Sequence, residues 1–223
     1  MKKLFVTGTD TDVGKTFATS AILNQLKQRR FSTAGFKPVA AGCNNLGGAL
    51  RNDDALLLQR ESTVELTYEQ VNPCAYEQPI APHIAAESLG QRIDLDPLNQ
   101  AVSNIERMQP DYLVAEGAGG WRLPLTDGIY LSDFVKQQQM QVIMVVGLRL
   151  GCLNHALLTA EAIQNDGLKL VGWIANQVDW QMPYADDNLN YLHKSIQAPF
   201  LGKIPRLSGP AEAFKYLDLT PIL

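Results

Sequence analysis

Short, almost wholly apolar runs alternate along the chain with longer stretches in which apolar residues recur every three or four positions. Lys3–Thr7, Thr33–Lys37, Asp111–Glu116, Gln141–Gly147 and Lys169–Asn176 have the first pattern and predict five strands. Gln141–Gly147 is nearly unbroken in its apolar character, as strands buried on both faces of a parallel sheet are. Thr16–Arg29, Leu95–Met108 and Leu153–Asn165 predict helices; in the first, Phe17, Ala18, Ala21, Ile22 and Leu26 fall close to one helical stripe. This rhythm predicts an α/β fold with a largely parallel β-sheet flanked by helices on both faces. Two segments break it. Ala40–Gly48, with three glycines and two asparagines, reads as a mobile loop, and Val71–Gln91, with three prolines and no period, as an irregular excursion at the substrate end.

The 223 residues, 46% hydrophobic, suit one domain spanning 1–223, with enough apolar side chain for a core without staples. A net charge of −4 offers no general attraction to nucleic acid or an anionic membrane, so neither is expected as a partner. Cys43, Cys74 and Cys152 lie too far apart for a zinc or dithiol motif, which suits a reduced, cytoplasmic protein. The first apolar run breaks at Thr7-Gly8-Thr9-Asp10, too soon for a signal-peptide core, and no run reaches the roughly 18 residues of a spanning helix.

Ligands of parallel sheets bind beyond the carboxyl ends of the strands, and those ends carry the unusual residues. Gly8-Thr9-Asp10-Thr11-Asp12-Val13-Gly14-Lys15-Thr16 lies between the first strand and the first helix, with one residue more between its glycines than the common phosphate loop has. The glycines let backbone N–H groups turn on an anion, Lys15 reaches the outer phosphates, and the Thr16 hydroxyl is placed to ligate Mg²⁺. The fold class is therefore P-loop NTPase-like. Asp10 and Asp12 would repel a nucleotide if both faced it, so at least one is expected to face away or to meet a cation. Glu116, expected to close a strand before Gly117-Ala118-Gly119-Gly120, and Asp53 or Asp54 are the candidate carboxylates for the metal. Lys37, ending a strand before Pro38, is expected to share the crevice with Lys15 and to meet charge developing on a transferring phosphoryl group or on a carboxylated intermediate. The histidines are scattered. His155 is expected to pack or cap, Cys152 to be a small buried residue, and Trp121, Trp173 and Trp180 to fill core or dimer contacts.

Taken together, Thr7–Thr16, Gly35-Phe36-Lys37-Pro38-Val39, Leu50–Ala55, Val71-Asn72-Pro73, Glu116–Trp121, Val145-Val146-Gly147, Leu150–His155 and Gly172–Asn176 resemble the dethiobiotin synthetase family. The likeness runs from residue 3 to about residue 207 and is far more specific than the phosphate loop alone. It implies ATP-dependent closure of the ureido ring of 7,8-diaminononanoate with CO₂, giving dethiobiotin, ADP and phosphate, with ATP as co-substrate and Mg²⁺ as cofactor. It further implies that Asp12, Val13, Gly14, Lys15, Thr16 and Phe17 bind ATP, and that Thr16, Asp54 and Glu116 hold Mg²⁺. Lys37 matches the family's catalytic lysine, with Lys15 and Thr11 beside it. Glu116, Gly117, Ala118 and Gly119, then Asn176 and Gln177, would continue the nucleotide site, Asn176 facing the adenine edge. Pro205, Arg206 and Leu207 would flank the base, and Glu212 carries over more weakly.

Family members are homodimers whose substrate site is shared between subunits. The tail carboxylate is held by the partner at a helix start, which here matches Gly151, Cys152, Leu153 and Asn154. Where the family places a serine against the diamine this chain has Ala41, a loss of one hydrogen bond worth about 0.5–1.5 kcal/mol. Two rival readings remain beside this one: a paralogous carboxylating ligase for another diamine, and a P-loop ATPase that positions other molecules.

Overall fold

The computed structural model describes residues 1–223. Six strands form one sheet: β1 (Lys2–Gly8), β2 (Thr33–Phe36), β3 (Tyr112–Gly120), β4 (Gln141–Gly147), β5 (Leu170–Asn176) and β6 (Phe200–Ile204). Their order is β6-β5-β4-β1-β3-β2, and every neighbouring pair is parallel. Residues 142–147 of β4 and all of β5 are buried without alternation, so both faces of the sheet are covered. The longer helices are α1 (Lys15–Gln28), α2 (Asp53–Glu61), α3 (Pro82–Ser88), α4 (Leu95–Glu106), α5 (Leu131–Gln137), α6 (Cys152–Asn165) and α7 (Ala185–Ser195). None is long and apolar enough to cross a membrane. From β1 the chain crosses to β2 on one side, and from β3 it crosses back past β1 to β4. The switch in winding therefore falls between β1 and β3, which places the ligand crevice over their carboxyl ends.

Five expected strands are present and a sixth, β6, is added. Its burial alternates weakly, as an edge strand's does, and only Leu201 and Ile204 are fully enclosed. β3 also runs further than expected, through Glu116 to Gly120. Val6 pairs with Glu116 and Gly8 with Gly120, so a bulge lets the glycine run stay in the sheet, and Glu116 lies inside the strand rather than at its end.

The stretch expected to be a mobile loop is instead an antiparallel hairpin, Asn44–Leu46 against Ala49–Arg51. Gly47 and Gly48 form its two-residue turn with φ of 63° and 90°, the positive pair that a primed turn requires. The excursion at 71–91 is more ordered than its prolines suggested. Cys74–Ala75 pairs in parallel with Val39–Ala40, and Pro82 opens α3 at the position where its missing N–H costs nothing. Trp121 and Trp173 are buried as expected, whereas Trp180 is 65% exposed in the single chain.

Candidate active site

The phosphate loop leaves β1 at Gly8 and turns into α1 through Gly14, whose φ of 89° belongs to the left-handed region. A side chain there would be strained, and its Cβ would stand 2.0 Å from the Asn176 amide nitrogen. That nitrogen donates to the Val13 carbonyl at 2.9 Å, so the end of β5 braces the loop. Val13 itself is buried behind the loop. Lys15 Nζ donates to the Asp10 carbonyl at 2.9 Å, and Thr16 Oγ1 donates to Glu116 Oε1 at 3.1 Å. Asp10 does face a cation: its carboxylate accepts from Arg149 at 2.5 Å. His155 neither packs nor caps; its half-exposed ring lies 4.0 Å from the same carboxylate.

Lys37 is the centre of the site's electrostatics. It is 4% exposed, and its Nζ donates to Glu116 Oε1 at 2.6 Å, to Asp54 Oδ2 at 3.2 Å and to the Gly117 carbonyl at 3.2 Å. Burial alone pulls such an ammonium's pKa down, but Glu116 and Asp54 outweigh it and the net shift is upward, so Lys37 stays charged. Lys15 goes the other way. Burial, then the nearby Lys37 charge, lower it to about 8 despite the carboxylates. A chain of hydrogen bonds fixes Lys37 from behind. Its N–H donates to the Val71 carbonyl at 2.8 Å, and its own carbonyl accepts from the Asn72 amide at 2.7 Å. Asn72 Oδ1 accepts from the Tyr68 hydroxyl at 2.9 Å, and that hydroxyl accepts from the Asn52 N–H at 2.7 Å. Asn52 also caps α2 by accepting from the Ala55 N–H at 3.1 Å, which sets Asp54 on the helix's first turn.

Two cavities open on this crevice. The larger, about 1110 Å³, brings together Thr11, Asp12, Gly14, Lys15, Thr16, Phe17, Lys37, Ala41, Asp54, Glu116, Ala118 and Gly119. The smaller, about 270 Å³, continues from Asp12, Gly14 and Phe17 to Asn176, Gln177, Pro205, Arg206 and Leu207. Gly117 contributes its carbonyl to Lys37. Glu212 is not brought in: it is exposed and paired with Lys215 at 2.6 Å. Gly151, Cys152, Leu153 and Asn154 lie at the start of α6 and line neither cavity; Cys152 is buried, as expected. Sequence reasoning missed Arg60 and Leu57; it placed 71–91 at the substrate end without singling out Pro79–Pro82, which wall the larger cavity. Arg60 stands seven residues after Asp53 on α2, hence on nearly the same face, a spacing that flags it once the helix is recognised.

Glu116 Oε2 is fully buried with no hydrogen-bond partner, a costly condition for a carboxylate oxygen. With the Thr16 hydroxyl and Asp54 it forms the kind of hard-oxygen set that Mg²⁺ takes. No group of three or more His, Cys, Asp or Glu side chains could hold a metal unaided. The set is thus suited to an ion that keeps waters and borrows ligands from a bound phosphate.

An all-parallel sheet whose first strand feeds a Gly-Lys-Thr helix start beneath paired carboxylates defines a P-loop nucleotide-binding protein. An AAA domain family model matches residues 2–212. The fold is shared with the MinD cell division protein of Aquifex aeolicus, at TM-score 0.56 and 14% identity over 96% of this chain and 86% of that one. It is also shared with the cell division protein FtsY of Thermotoga maritima, at TM-score 0.53 and 14% identity over 96% and 66%. Much nearer in sequence is the ATP-dependent dethiobiotin synthetase BioD of Cellvibrio japonicus, 50% identical over 100% of this chain and 98% of that protein. The BioD of Aeromonas hydrophila is 48% identical over the full length of both. The chain belongs to the ATP-dependent dethiobiotin synthetase family.

Proposed function

We propose that this chain closes the ureido ring of 7,8-diaminononanoate with CO₂ at the expense of ATP, releasing dethiobiotin, ADP and phosphate. The observation that carries this reading is Lys37. A charged lysine buried between Glu116 and Asp54, on the floor of the cavity that the phosphate loop also lines, suits an anionic intermediate poised to accept a phosphoryl group. One amine of the substrate attacks CO₂ and loses a proton, giving a carbamate. A carbamate oxygen takes the γ-phosphoryl group and ADP leaves; the second amine then attacks the carbamoyl carbon, closing the ring and expelling phosphate and a proton.

In this scheme the chain's part is to position and to hold charge. Lys37 neutralises the carbamate, and Lys15 leaves the Asp10 carbonyl for the outer phosphates. The apolar Ala41 lies where the family has a serine, so binding of the diamine rests on Thr11, Lys37 and nearby backbone groups. Thr16, Asp54 and Glu116 would hold Mg²⁺, which would supply positive charge against the nucleotide's phosphates. Asn176 and Gln177 meet the base edge, with Pro205, Arg206 and Leu207 beside it.

The protein works as a cytoplasmic homodimer in this reading, with Gly151–Asn154 clamping the substrate carboxylate of the partner's site. Free N–H groups at the start of α6 favour such an anion. Leu150, Leu158, Trp180, Tyr184 and Tyr191, all at least half exposed in the single chain, lie on or beside the packed helices α6 and α7 and offer an apolar face for a second copy.

The test is ADP release measured with and without diaminononanoate and bicarbonate, with the product weighed by mass spectrometry. Release that depends on both, and yields dethiobiotin, is expected. ADP release indifferent to the diamine overturns the proposal and favours the ATPase alternative.

A further inference from the structure

The phosphate loop carries two carboxylates, Asp10 and Asp12, against one lysine, yet it is the segment that meets a polyanion. Asp10 lines neither cavity. All three of its oxygens are engaged. Oδ1 accepts from the Thr11 N–H at 2.8 Å, the backbone carbonyl accepts from Lys15 Nζ at 2.9 Å, and Oδ2 accepts from Arg149 Nη2 at 2.5 Å. His155 Nδ1 lies 4.0 Å from that last oxygen.

Arg149 has no other side-chain partner, and the backbone that bears it is pinned on both sides. The Leu148 N–H donates to the Asn176 carbonyl at 2.8 Å, and the Arg149 carbonyl accepts from the Cys152 N–H at 3.0 Å. The guanidinium thus projects from a fixed point between β4 and α6 onto the first half of the phosphate loop.

We propose that Arg149 is a positioning residue for the nucleotide: it cancels the Asp10 charge and holds Asp10 turned away, so that the field left in the loop favours a triphosphate. The proposal rests on ATP occupying the loop. Asp10 and Arg149 are both well exposed, their side chains 42% and 38% accessible, so the pair adds little to folding stability. An uncompensated carboxylate, by contrast, acts on a bound polyanion across the roughly 8 Å over which physiological salt screens charge. Its effect is electrostatic, and that separates it from packing.

The experiment is equilibrium binding of a non-hydrolysable ATP analogue with Mg²⁺ to the full-length protein, at low and high salt, with thermal midpoints recorded in parallel. Arg149→Met is expected to weaken binding by about 3–10-fold at low salt, and the deficit should shrink as salt rises. Arg149→Lys keeps the charge and should stay within about twofold of the parent. Removing both charges, in Asp10→Asn/Arg149→Met, should restore affinity to within about twofold. A role in packing alone would leave the double variant as weak as Arg149→Met. The inference is overturned if Arg149→Met binds like the parent at low salt, or if the double variant fails to recover. Should Arg149→Met not fold, the double variant set against Arg149→Lys decides by the same criterion. Dethiobiotin formation is measured separately, so a parent protein that binds the analogue but makes no dethiobiotin fails the synthetase reading and leaves this one standing.

Discussion

The two ends of the crevice are built on opposite plans. At the reaction end, charges are buried against one another: Lys37 is 4% exposed and Glu116 0%, and the Asn52, Tyr68 and Asn72 relay locks the lysine from behind. At the proposed base end, beyond Asp12, Gly14 and Phe17 that it shares with the larger cavity, the lining is the Asn176 and Gln177 amides, Val178, Pro205, Leu207 and the exposed Arg206, around a space about a quarter as large. Stabilising a developing anion demands charges that are already in place and dry, because reorganising them during reaction would forfeit most of their effect. Accommodating a flat base demands shape and a few well-placed amides. Substitutions at the two ends should therefore fail in different ways, the first in turnover and the second in affinity.

The widest separation is expected from Lys37→Ala, which removes the buried cation and should lower kcat by about 10²–10³-fold while nucleotide affinity changes far less. Single-turnover kinetics beside analogue binding measure the two, and a variant with parental kcat would erase the distinction. Next comes pH. Lys15 carries its proton only up to about pH 8 in the folded protein, against its ordinary 10.5. Affinity for the ATP analogue should accordingly fall about tenfold between pH 7 and 9 as the ammonium is lost.

Folding stability moves the other way. Between about 8 and 10.5 the unfolded chain binds the proton that the folded chain has shed, so Lys15's contribution rises with pH across that window. An affinity flat from pH 7 to 9 would remove Lys15 from the phosphate grip. Smallest is Arg206→Ala at the base end, expected to raise KM for ATP about twofold with kcat unchanged, since an exposed guanidinium without an ion-pair partner contributes little. A fall in kcat there would show that the two ends are not separable.

The reaction end was the more legible from sequence, and the reason is local. Gly14, Lys15 and Thr16 are contiguous and sit where a strand becomes a helix, and Lys37 directly follows a strand, so periodicity alone delivers them to one edge of the sheet. β4 was readable end to end because every residue from Val142 to Gly147 is buried. β6 was not, since Gly202 and Lys203 interrupt its apolar run and only Leu201 and Ile204 are fully enclosed. The extension of β3 past Glu116 depends on a bulge against β1, a pairing between distant segments that leaves no periodic trace. α2 is not among the expected helices, because Asp53 and Asp54 read as candidate metal ligands, although Asn52 ahead of them is a capping residue. The support given to Lys37 by Asn72 crosses 35 positions, and the grip of Arg149 on Asp10 crosses 139, so each exists only once the strands are assembled.

The brace between Asn176 and Val13 has a further consequence. A carboxamide offers two hydrogens and one oxygen, and this one has committed a hydrogen to the Val13 carbonyl. What remains is one donor beside one acceptor at the wall of the smaller cavity, the complement of an adenine edge. On the proposed docking of adenine at this wall, one side chain would span the distance between information and work: a base that matches it would tighten the same group that steadies the phosphate loop, and a mismatched base would tug on that loop.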